Sequence, residues 1–318
     1  MTAALGVRVA AVRTEAEAVK AFVLVSSAGE PLPAFAAGAH IEVRGRLATG
    51  EEAWRAYSIA SDPSCTDAYE IGVLRVGDRG VSAWLHEHVE VGNALTIAAP
   101  RNDFPLADEA DEHVLLAGGI GLTPLLAMAR WLQRSRTAYR LVVSARAPGR
   151  LAFRDALSRL DAERVRLHFS DTHGRIDLAA GIGLPAPRRH LYLCGPGAMI
   201  QDARRTARAL GWPEPTVHAE LFNAGTVSGD MEFEVALRRS AMTFSVPPGR
   251  TILELMLERG VFPSYDCRRG ECGACLTRVL AGDPLHRDTC QTEEEKAQNV
   301  FMTVCVSRAK SASLVLDV

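Results

Sequence analysis

Three cysteines stand within nine residues near the end of this 318-residue chain, at Cys267, Cys272 and Cys275. The whole sequence has only seven cysteines, and an odd, unevenly spread set does not indicate a disulfide framework. The stretch CRRGECGACL that carries them is rich in small residues, among them Gly270 and Gly273. Thiols clustered in so short a loop indicate that the loop holds a metal or a redox centre.

The spacing of the cluster, C-x4-C-x2-C followed by a distant cysteine, is that of a plant-type [2Fe-2S] centre. Such a loop surrounds two irons with thiolates while its amides turn toward the sulfurs, which small residues permit. Cys290 and Cys305 are both candidates for the fourth ligand. We predict Cys305, because FMTVCVSRA is typical of a strand that holds a thiol rigidly, whereas RDTCQTEEE is typical of a polar turn. A zinc site normally needs a second short-spaced pair, which the sequence lacks.

Length and composition limit the class of protein. At 318 residues the chain exceeds one ordinary core, and we expect three domains. Hydrophobic residues make up 47% and charged residues 23%, which is typical of a soluble globular protein. A net charge of −2 offers no basic stripe, so we expect no nucleic-acid partner. Arg8 and Arg13 interrupt the N-terminal apolar residues and no stretch approaches a membrane span, so we expect a cytoplasmic protein without a membrane partner.

The first hundred residues consist of short alternating apolar segments separated by turn residues. Examples are HIEVRG, YEIGVLRVG and ALTIAAP, which begin at His40, Tyr69 and Ala94. This pattern predicts an antiparallel barrel or sandwich.

Two short motifs in this region have the composition of a ligand site. RAYS combines the cation of Arg55, the aromatic ring of Tyr57 and the hydroxyl of Ser58, although a surface arginine beside a half-buried tyrosine is also an ordinary strand feature. GDRGVSAWLHE places Gly80 and Ser82 in a turn before a helical run, which suits a phosphate group.

The middle of the chain has the pattern of an α/β domain. Strand-like runs, VLLAGG, YRLVVSAR, VRLHFS and HLYLCG, alternate with the helical stretches TPLLAMARWLQRS, LAFRDALSRLDAE and AMIQDARRTARAL. This alternation predicts a parallel sheet. We expect Thr123 to cap the first helix and Pro124 to occupy its first position.

Two glycine-rich turns follow strands of this predicted sheet. VLLAGGIGLTP places Gly118, Gly119 and Gly121 between a buried strand and a helix. Glycines permit close approach to a pyrophosphate, and a helix N-terminus favours its negative charge, although tight packing alone also selects glycine. LYLCGPGAM ends another strand at Cys194 and again opens onto a helix. Two neighbouring strand ends with exposed backbone are where α/β sheets bind ligands.

The C-terminal region predicts a small domain after a linker. NAGTVSGD, which ends at Asp230, has linker composition. MEFEVAL and MTFSVPPG are typical of a hairpin, and in TILELMLERG the spacing of Thr251 and Glu254 predicts a capping box, with Gly260 ending the helix. A hairpin followed by a helix is how a β-grasp domain begins.

Taken together, these motifs resemble the phthalate dioxygenase reductase and vanillate O-demethylase reductase family of the ferredoxin-reductase superfamily. RxYS, GGIGLTP, CGPxxM, ELF and the cysteine cluster occur in that family's order, and HRD and CVSRA also look like its ferredoxin segment. The resemblance implies a multidomain α+β protein with an FMN-binding antiparallel β-barrel over 1–107, an NAD-binding α/β domain with a parallel sheet over 108–225, a linker over 226–231 and a plant-type [2Fe-2S] β-grasp ferredoxin domain over 232–318.

The resemblance also implies a role for each matching residue. Arg55 and the turn of Gly80, Val81 and Ser82 match the contacts to the flavin phosphate, and Tyr57 and Ser58 match the residues that line the isoalloxazine. The nucleotide-binding residues implied are Gly118, Gly119, Gly121, Thr123, Pro124, Cys194, Gly195, Pro196 and Met199. The residues implied at the catalytic centre are Ser58, Cys194, Glu220 and Phe222. The cluster ligands implied are Cys267, Cys272, Cys275 and Cys305.

The implied activity is electron transfer. A nicotinamide gives up two electrons as a hydride and an iron–sulfur cluster accepts one at a time, so a flavin between them must divide the pair. The resemblance implies FMN rather than FAD and NADH rather than NADPH, although Ser144 and Arg146 could hold a ribose phosphate. The implied partner is a Rieske-type terminal oxygenase that acts on an aromatic substrate. The alternatives are a reductase of the same architecture that serves a cytochrome monooxygenase, and an electron carrier without nicotinamide turnover.

Overall fold

The computed structural model describes residues 4–78, 80–222, 230–248, 250–265, 270, 272–288 and 290–318. The chain divides into two compact units, Met1–Glu220 and Leu221–Val318. The strands are β1 (Ala4–Ala16), β2 (Val19–Ser26), β3 (His40–Arg46), β4 (Glu52–Ser58), β5 (Tyr69–Leu74), β6 (Ala94–Ala98), β7 (Glu112–Gly118), β8 (Ala138–Ala145), β9 (Val165–Phe169), β10 (Arg189–Cys194), β11 (Val217–Glu220), β12 (Phe233–Leu237), β13 (Met242–Val246), β14 (Leu276–Ala281), β15 (Pro284–Leu285), β16 (Phe301–Thr303), β17 (Arg308–Ala309) and β18 (Ser313–Leu316). The helices are α1 (Val81–His88), α2 (Leu122–Arg134), α3 (Arg154–Leu157), α4 (Ser170–His173), α5 (Leu178–Ile182), α6 (Gly197–Ala209), α7 (Ile252–Glu258) and α8 (Glu293–Gln298).

The first unit begins with a six-stranded antiparallel sheet in the order β4-β3-β6-β1-β2-β5. Its inner face buries alternate residues such as Val7, Val9, Ile41 and Val43, as the period of two predicts. The predicted antiparallel architecture is confirmed. Between the two edge strands, the residues that the structure describes form one isolated bridge, Ile59–Ile71, rather than the continuous ladder of a closed barrel.

A parallel five-stranded sheet in the order β11-β10-β7-β8-β9 completes the first unit. The predicted α/β pattern is confirmed, and the strands β7 and β10 are almost wholly buried, as expected of a sheet covered on both faces. One predicted helix is wrong in extent, because LAFRDALSRLDAE forms only the four-residue α3. Phe153, which precedes α3, has φ +56, and this left-handed conformation keeps Leu151 and Ala152 out of the helix. The predicted boundary between 107 and 108 lies within this unit and stays a prediction.

The second unit contains a five-stranded mixed sheet in the order β13-β12-β18-β14-β16. The strands β12 and β13 form the predicted hairpin, and β12 pairs in parallel with β18. Thr251 accepts a hydrogen bond from the amide of Glu254 and forms the predicted capping box of α7, while Gly260, with φ +76, follows the end of that helix. This hairpin, helix and mixed sheet are the predicted β-grasp arrangement. Residues 223–229, which include most of the predicted linker, lie outside the described residues.

The helices found in the described ranges are all too short or too polar to cross a lipid bilayer.

Candidate electron-transfer site

The two glycine-rich turns of the parallel sheet pack directly on each other. A Cβ at Gly118 would lie 2.7 Å from Met199 Cε, and a Cβ at Gly121 would lie 2.4 Å from the carbonyl oxygen of Cys194. Tight packing therefore accounts for glycine at both positions. Gly119 differs, because it has φ +55 and no described atom lies within 4 Å of the position that a Cβ would take. The open space beside Gly119 is where a ligand can approach the backbone.

The strand ends of the sheet bring several predicted residues to one edge. In the register of the strands, Cys194 lies between Ala117 and Glu220, at the carboxyl ends of three neighbouring strands. Cys194 is fully buried and Glu220 is 1% exposed. Gly195 and Pro196 follow Cys194 directly, and Pro196 precedes α6. Phe222 belongs to the second unit and is half-buried.

The predicted cap of α2 is wrong. The helix begins at Leu122 with Gly121 at its N-cap, so that Thr123 lies inside the first turn. The hydroxyl of Thr123 donates to the carbonyl oxygen of Ile120 at 3.0 Å. Pro124 is consequently the third residue of the helix rather than its first, where its missing N–H still costs no intrahelical bond. The sequence did not reveal that the turn Gly119–Gly121 is a 3₁₀ helix that starts the helical geometry early.

The strand β4 carries the residues of the RAYS motif. The pleat of the strand places Arg55 and Tyr57 on one face and Ser58, 5% exposed, on the other. Nη1 of Arg55 donates to the carbonyl oxygen of Trp54 at 2.9 Å. Burial raises the pKa of Tyr57 despite the nearby positive charge of Arg55, so the phenol is protonated at neutral pH and can donate a hydrogen bond.

The N-terminus of α1 follows the turn that contains Gly80. Gly80 is the N-cap residue in an extended conformation, and no described atom lies within 4 Å of its missing Cβ. The first turn of α1 has no acidic residue, so the positive end of the helix dipole is not neutralised there. Val81 is buried, and Ser82 Oγ accepts a hydrogen bond from the amide of Val76 at 3.1 Å. The arrangement is compatible with a phosphate group at this end of the helix.

The nucleotide turn lies against the antiparallel sheet of the same unit. A Cβ at Gly72 would lie 2.7 Å from Thr123 Cγ2 and 2.8 Å from the ring of Phe153. Glu15 accepts a hydrogen bond from the amide of Phe153 at 3.0 Å. The strand β5, which contains Gly72, also contacts the turn Gly119–Gly121. Since the bridge between Ile59 and Ile71 joins the end of the RAYS strand to β5, the two predicted ligand regions are neighbours.

An ion pair network also links the helix α2 to the antiparallel sheet. Glu70 accepts from Arg130 of α2 at 3.1 Å and from Arg13 of β1, and Arg130 also donates to the carbonyl oxygen of Ala60 at 2.6 Å. These residues lie far apart in sequence, and no local motif identified them.

The cysteine loop brings two of the predicted ligands together. Cys275 Sγ lies 3.1 Å from Cys305 Sγ, and both residues are buried. The hydrogen bond between the thiols lowers the pKa of Cys275 to about 7, although burial opposes this effect. Cys272 is exposed, and Cys267 lies outside the described residues. Within the described ranges, no three metal-ligating side chains form a group, so the structure does not bring Cys272 together with the pair of Cys275 and Cys305.

The backbone around these thiols fits a compact cluster loop. Gly270 has φ +76, and a Cβ there would lie 2.6 Å from Val306 Cγ2 and 3.0 Å from Asp288 Cα. The predicted strand around Cys305 is wrong, because β16 ends at Thr303 and Cys305 follows in a turn. The turn is held nevertheless, since the side chains of Thr303 and Ser307 hydrogen-bond across it at 3.0 Å.

The environment of Cys290 is unlike that of a ligand. Burial, followed by the charge of Asp288, raises the pKa of Cys290 to about 12. Its thiol donates to Asp288 Oδ2 at 3.6 Å. Metal ligation requires the thiolate, so these features favour Cys305 over Cys290 as the fourth ligand.

Comparisons with known proteins agree with this geometry. Residues 235–310 match the family model of the 2Fe-2S iron-sulfur cluster binding domain. The carnitine monooxygenase reductase subunit of Escherichia coli (strain K12) is 40% identical over 98% of this chain and 97% of its own. A vanillate O-demethylase oxidoreductase of Pseudomonas sp. (strain HR199 / DSM 7063) is 37% identical over 97% of this chain and 98% of its own. The structure of phthalate dioxygenase reductase, described as modular for electron transfer from pyridine nucleotides to [2Fe-2S], has a TM-score of 0.77 at 35% identity and covers 99% of this chain and 98% of its own.

The chain belongs to the phthalate dioxygenase reductase family. It is a reductase of the kind that serves oxygenase and demethylase systems, and its C-terminal domain is of the [2Fe-2S] type. The adjacent thiols of Cys275 and Cys305 and the tightly packed turn at Gly270 are the features of the second unit that agree with a [2Fe-2S] domain.

The HRD segment of this family member has a structural role that the sequence did not show. Asp288 is 1% exposed and accepts hydrogen bonds from the amide of Gln291 at 3.0 Å and from Ser307 Oγ at 3.4 Å. Arg287 pairs with Asp230, which Arg308 also approaches at 3.5 Å. The segment therefore supports the cluster loop through Asp288, whose Cα lies 3.0 Å from the position that a Cβ on Gly270 would take.

Proposed function

We propose that this reductase oxidises NADH, carries FMN in its first sheet and passes single electrons through a [2Fe-2S] cluster to a terminal oxygenase of the Rieske type. The observation that carries the proposal is the contact of the nucleotide turn with the flavin strand region through Gly72 and Thr123. In this proposal the contact makes the two ligand regions neighbours, as a direct hydride transfer requires.

The residues of the first sheet fit a flavin mononucleotide. Gly80 and the unneutralised N-terminus of α1 suit the single phosphate, and Val81 and Ser82 follow Gly80 directly. The helix α1 also contacts β4, the strand of the proposed phosphate ligand Arg55. The neutral phenol of Tyr57 offers a hydrogen-bond donor beside an apolar surface. When bound, FMN accepts a hydride and gives up electrons one at a time.

The parallel sheet supplies the nicotinamide site in this proposal. Gly119 leaves the backbone open to a pyrophosphate, while Gly118, Gly121 and Gly195 let the two turns pack closely. Cys194 and Glu220 lie side by side at the strand ends, where Cys194 would line the nicotinamide site. The resemblance implies that Glu220 and Phe222 of the ELF segment act beside the flavin. The remaining proposed nucleotide contacts are Thr123, Pro124, Pro196 and Met199, and Ser58 is a proposed flavin contact.

The second unit holds the cluster in this proposal. Cys275 and Cys305 are adjacent, and Cys267 and Cys272 complete the ligand set. The proposed domain map is FMN binding over 1–107, NAD binding over 108–225, a linker over 226–231 and ferredoxin over 232–318.

The experiment that tests the proposal combines cofactor analysis with one substitution. We expect about one FMN and two irons per purified chain. Cys272→Ser should keep NADH reduction of ferricyanide and lose reduction of a protein acceptor. FAD in place of FMN, or a Cys272→Ser protein that retains its cluster, would contradict the proposal.

The type of partner is tested by reconstitution. Purified Rieske-type oxygenases should turn over with this reductase and NADH, whereas cytochrome monooxygenases should not. Since the reductase does not bind the oxygenase substrate, aromatic and non-aromatic substrates are both compatible with the site. Turnover with a cytochrome monooxygenase alone would favour the alternative function, a reductase of the same architecture that serves a cytochrome monooxygenase.

A further inference from the structure

The outer face of the ladder between β14 and β16 exposes apolar side chains. In the register of this antiparallel pair, Thr277 lies opposite Met302 and Arg278 lies opposite Phe301. Thr277 and Met302 point into the core, with 6% and 0% of their surface exposed. Leu276 and Phe301 lie on the opposite face and are 42% and 45% exposed. We call Leu276, Arg278 and Phe301 the β14–β16 face.

This face adjoins the cluster loop. Leu276 directly follows the buried ligand Cys275, and Leu276 Cδ1 lies 3.5 Å from the position that a Cβ on Gly273 would take. Gly273 itself lies between Cys272 and Cys275 in the loop. Leu276 therefore covers the outer side of the loop that carries the ligands.

The charged groups beside the face are mainly acidic. The helix α8 lies against β16 and begins with Glu293, Glu294 and Glu295, all exposed. Lys296 pairs with Glu293 at 3.2 Å. Arg278 is the one cation of the face itself, and its charge acts on Asp317, whose main partner is Arg239. The edge of the face along α8 thus keeps an excess of negative charge.

An arginine flanked by exposed leucine and phenylalanine is the composition of an interface centre rather than of ordinary surface. Acidic side chains at its edge attract a partner of opposite charge and speed its association. We propose that the β14–β16 face is the docking surface for the electron-accepting protein, which presents an apolar patch surrounded by lysine and arginine side chains. This inference rests on the proposed function, because it needs a cluster that passes electrons to a protein.

Cytochrome c, a basic protein that accepts one electron, is the probe for the test. Under anaerobic conditions and at low ionic strength, Leu276→Ser and Phe301→Ser should each raise the KM for cytochrome c by about tenfold. The same substitutions should leave NADH reduction of ferricyanide unchanged. Calorimetric titration of the oxidised protein with oxidised cytochrome c should show the same tenfold loss of affinity without any turnover.

Met242→Ser is the matched control. Met242 is 37% exposed on β13, the opposite edge strand of the same sheet, and its substitution should change neither the KM nor the binding. Glu294→Gln should weaken binding at low salt and reduce its dependence on ionic strength. The visible spectrum of each variant checks that the cluster is retained. If Leu276→Ser loses the cluster, Phe301→Ser still tests the docking surface.

Two results would overturn the docking surface. One is a Phe301→Ser protein that binds cytochrome c as tightly as the unmodified protein, and the other is an equal loss with Met242→Ser. If the unmodified protein does not reduce ferricyanide with NADH, the proposed function fails instead, and the calorimetric result still decides the docking surface on its own.

Discussion

Gly72 lies directly against Thr123, so the antiparallel sheet and the nucleotide turn meet where a single methyl group would not fit. The Cβ of an alanine at position 72 would lie 2.7 Å from Thr123 Cγ2. We expect Gly72→Ala to cost about 1–3 kcal/mol of stability and to slow flavin reduction by NADH, because the turn must move away from the sheet. Rapid-mixing absorbance under anaerobic conditions measures the rate.

Gly149→Ala is the control for this substitution, because the position of its Cβ is open. An unchanged rate of flavin reduction in Gly72→Ala would show that the contact does not set the geometry of hydride transfer.

Asp230 should be a main stabiliser of the second unit. Its carboxylate accepts from Arg287 Nη1 at 3.0 Å and lies 3.5 Å from Nε of Arg308, which is 2% exposed. Asp230→Asn leaves these buried cations without their counter-charge, and we expect a loss of about 3–5 kcal/mol. Urea titration followed by the visible absorbance of the cluster measures it. Asp317→Asn, which breaks the exposed pair with Arg239, should change the midpoint little, and equal midpoints in both variants would refute the role of Asp230.

The two downstream cysteines should differ in their effect on the cluster. Cys305→Ser removes a thiol 3.1 Å from that of Cys275, and we expect it to abolish cluster binding. Cys290→Ser removes a thiol with a pKa raised to about 12, and the cluster should remain. Iron and acid-labile sulfide per chain measure the outcome. A Cys290→Ser protein without iron would contradict the choice of Cys305 over Cys290 as the fourth ligand.

The first unit should lose stability in mild acid. Burial, followed by the neighbouring histidines, lowers the pKa of His113 to about 4, and burial followed by His190 does the same for His218. The folded unit thus binds fewer protons than the unfolded chain between pH 6.5 and 4, so stability is complete above pH 6.5 and falls as the pH decreases. We expect His113 to contribute a loss of about 2 kcal/mol by pH 4.5.

Urea unfolding followed by tryptophan fluorescence at several pH values measures this effect, because all four tryptophans belong to the first unit. His113→Gln should reduce the slope of stability against pH, whereas His88→Gln, at an exposed position, should not. The same slope of stability against pH in both variants would contradict the role of His113.

Features with local causes were predictable from the sequence. The capping box of Thr251 and Glu254 and the strand-turn-helix at Gly119 depend on residues within a few positions. The thiol spacing from Cys267 to Cys275 is equally local, and it predicted the cluster type, whereas the hairpin followed by a helix predicted the β-grasp fold.

Features that depend on distant partners were not predictable. The left-handed φ of Phe153, which shortens α3, occurs where Glu15 binds its amide and its ring packs near Gly72. Cys305 lies in a turn rather than in a strand, where Ser307 Oγ accepts a hydrogen bond from the amide of Arg287 at 3.2 Å and donates to Asp288 at 3.4 Å. Each case is decided by contacts across more than one element, which hydrophobic periodicity does not encode.

The most direct test of the central claim is an anaerobic titration of the purified protein with NADH, and in parallel with NADPH, followed by visible absorbance. We predict that NADH bleaches both the flavin and the cluster bands at low concentration, and that NADPH needs a much higher concentration. A spectrum without a flavin band, or one that neither nicotinamide bleaches, would contradict the proposed reductase activity.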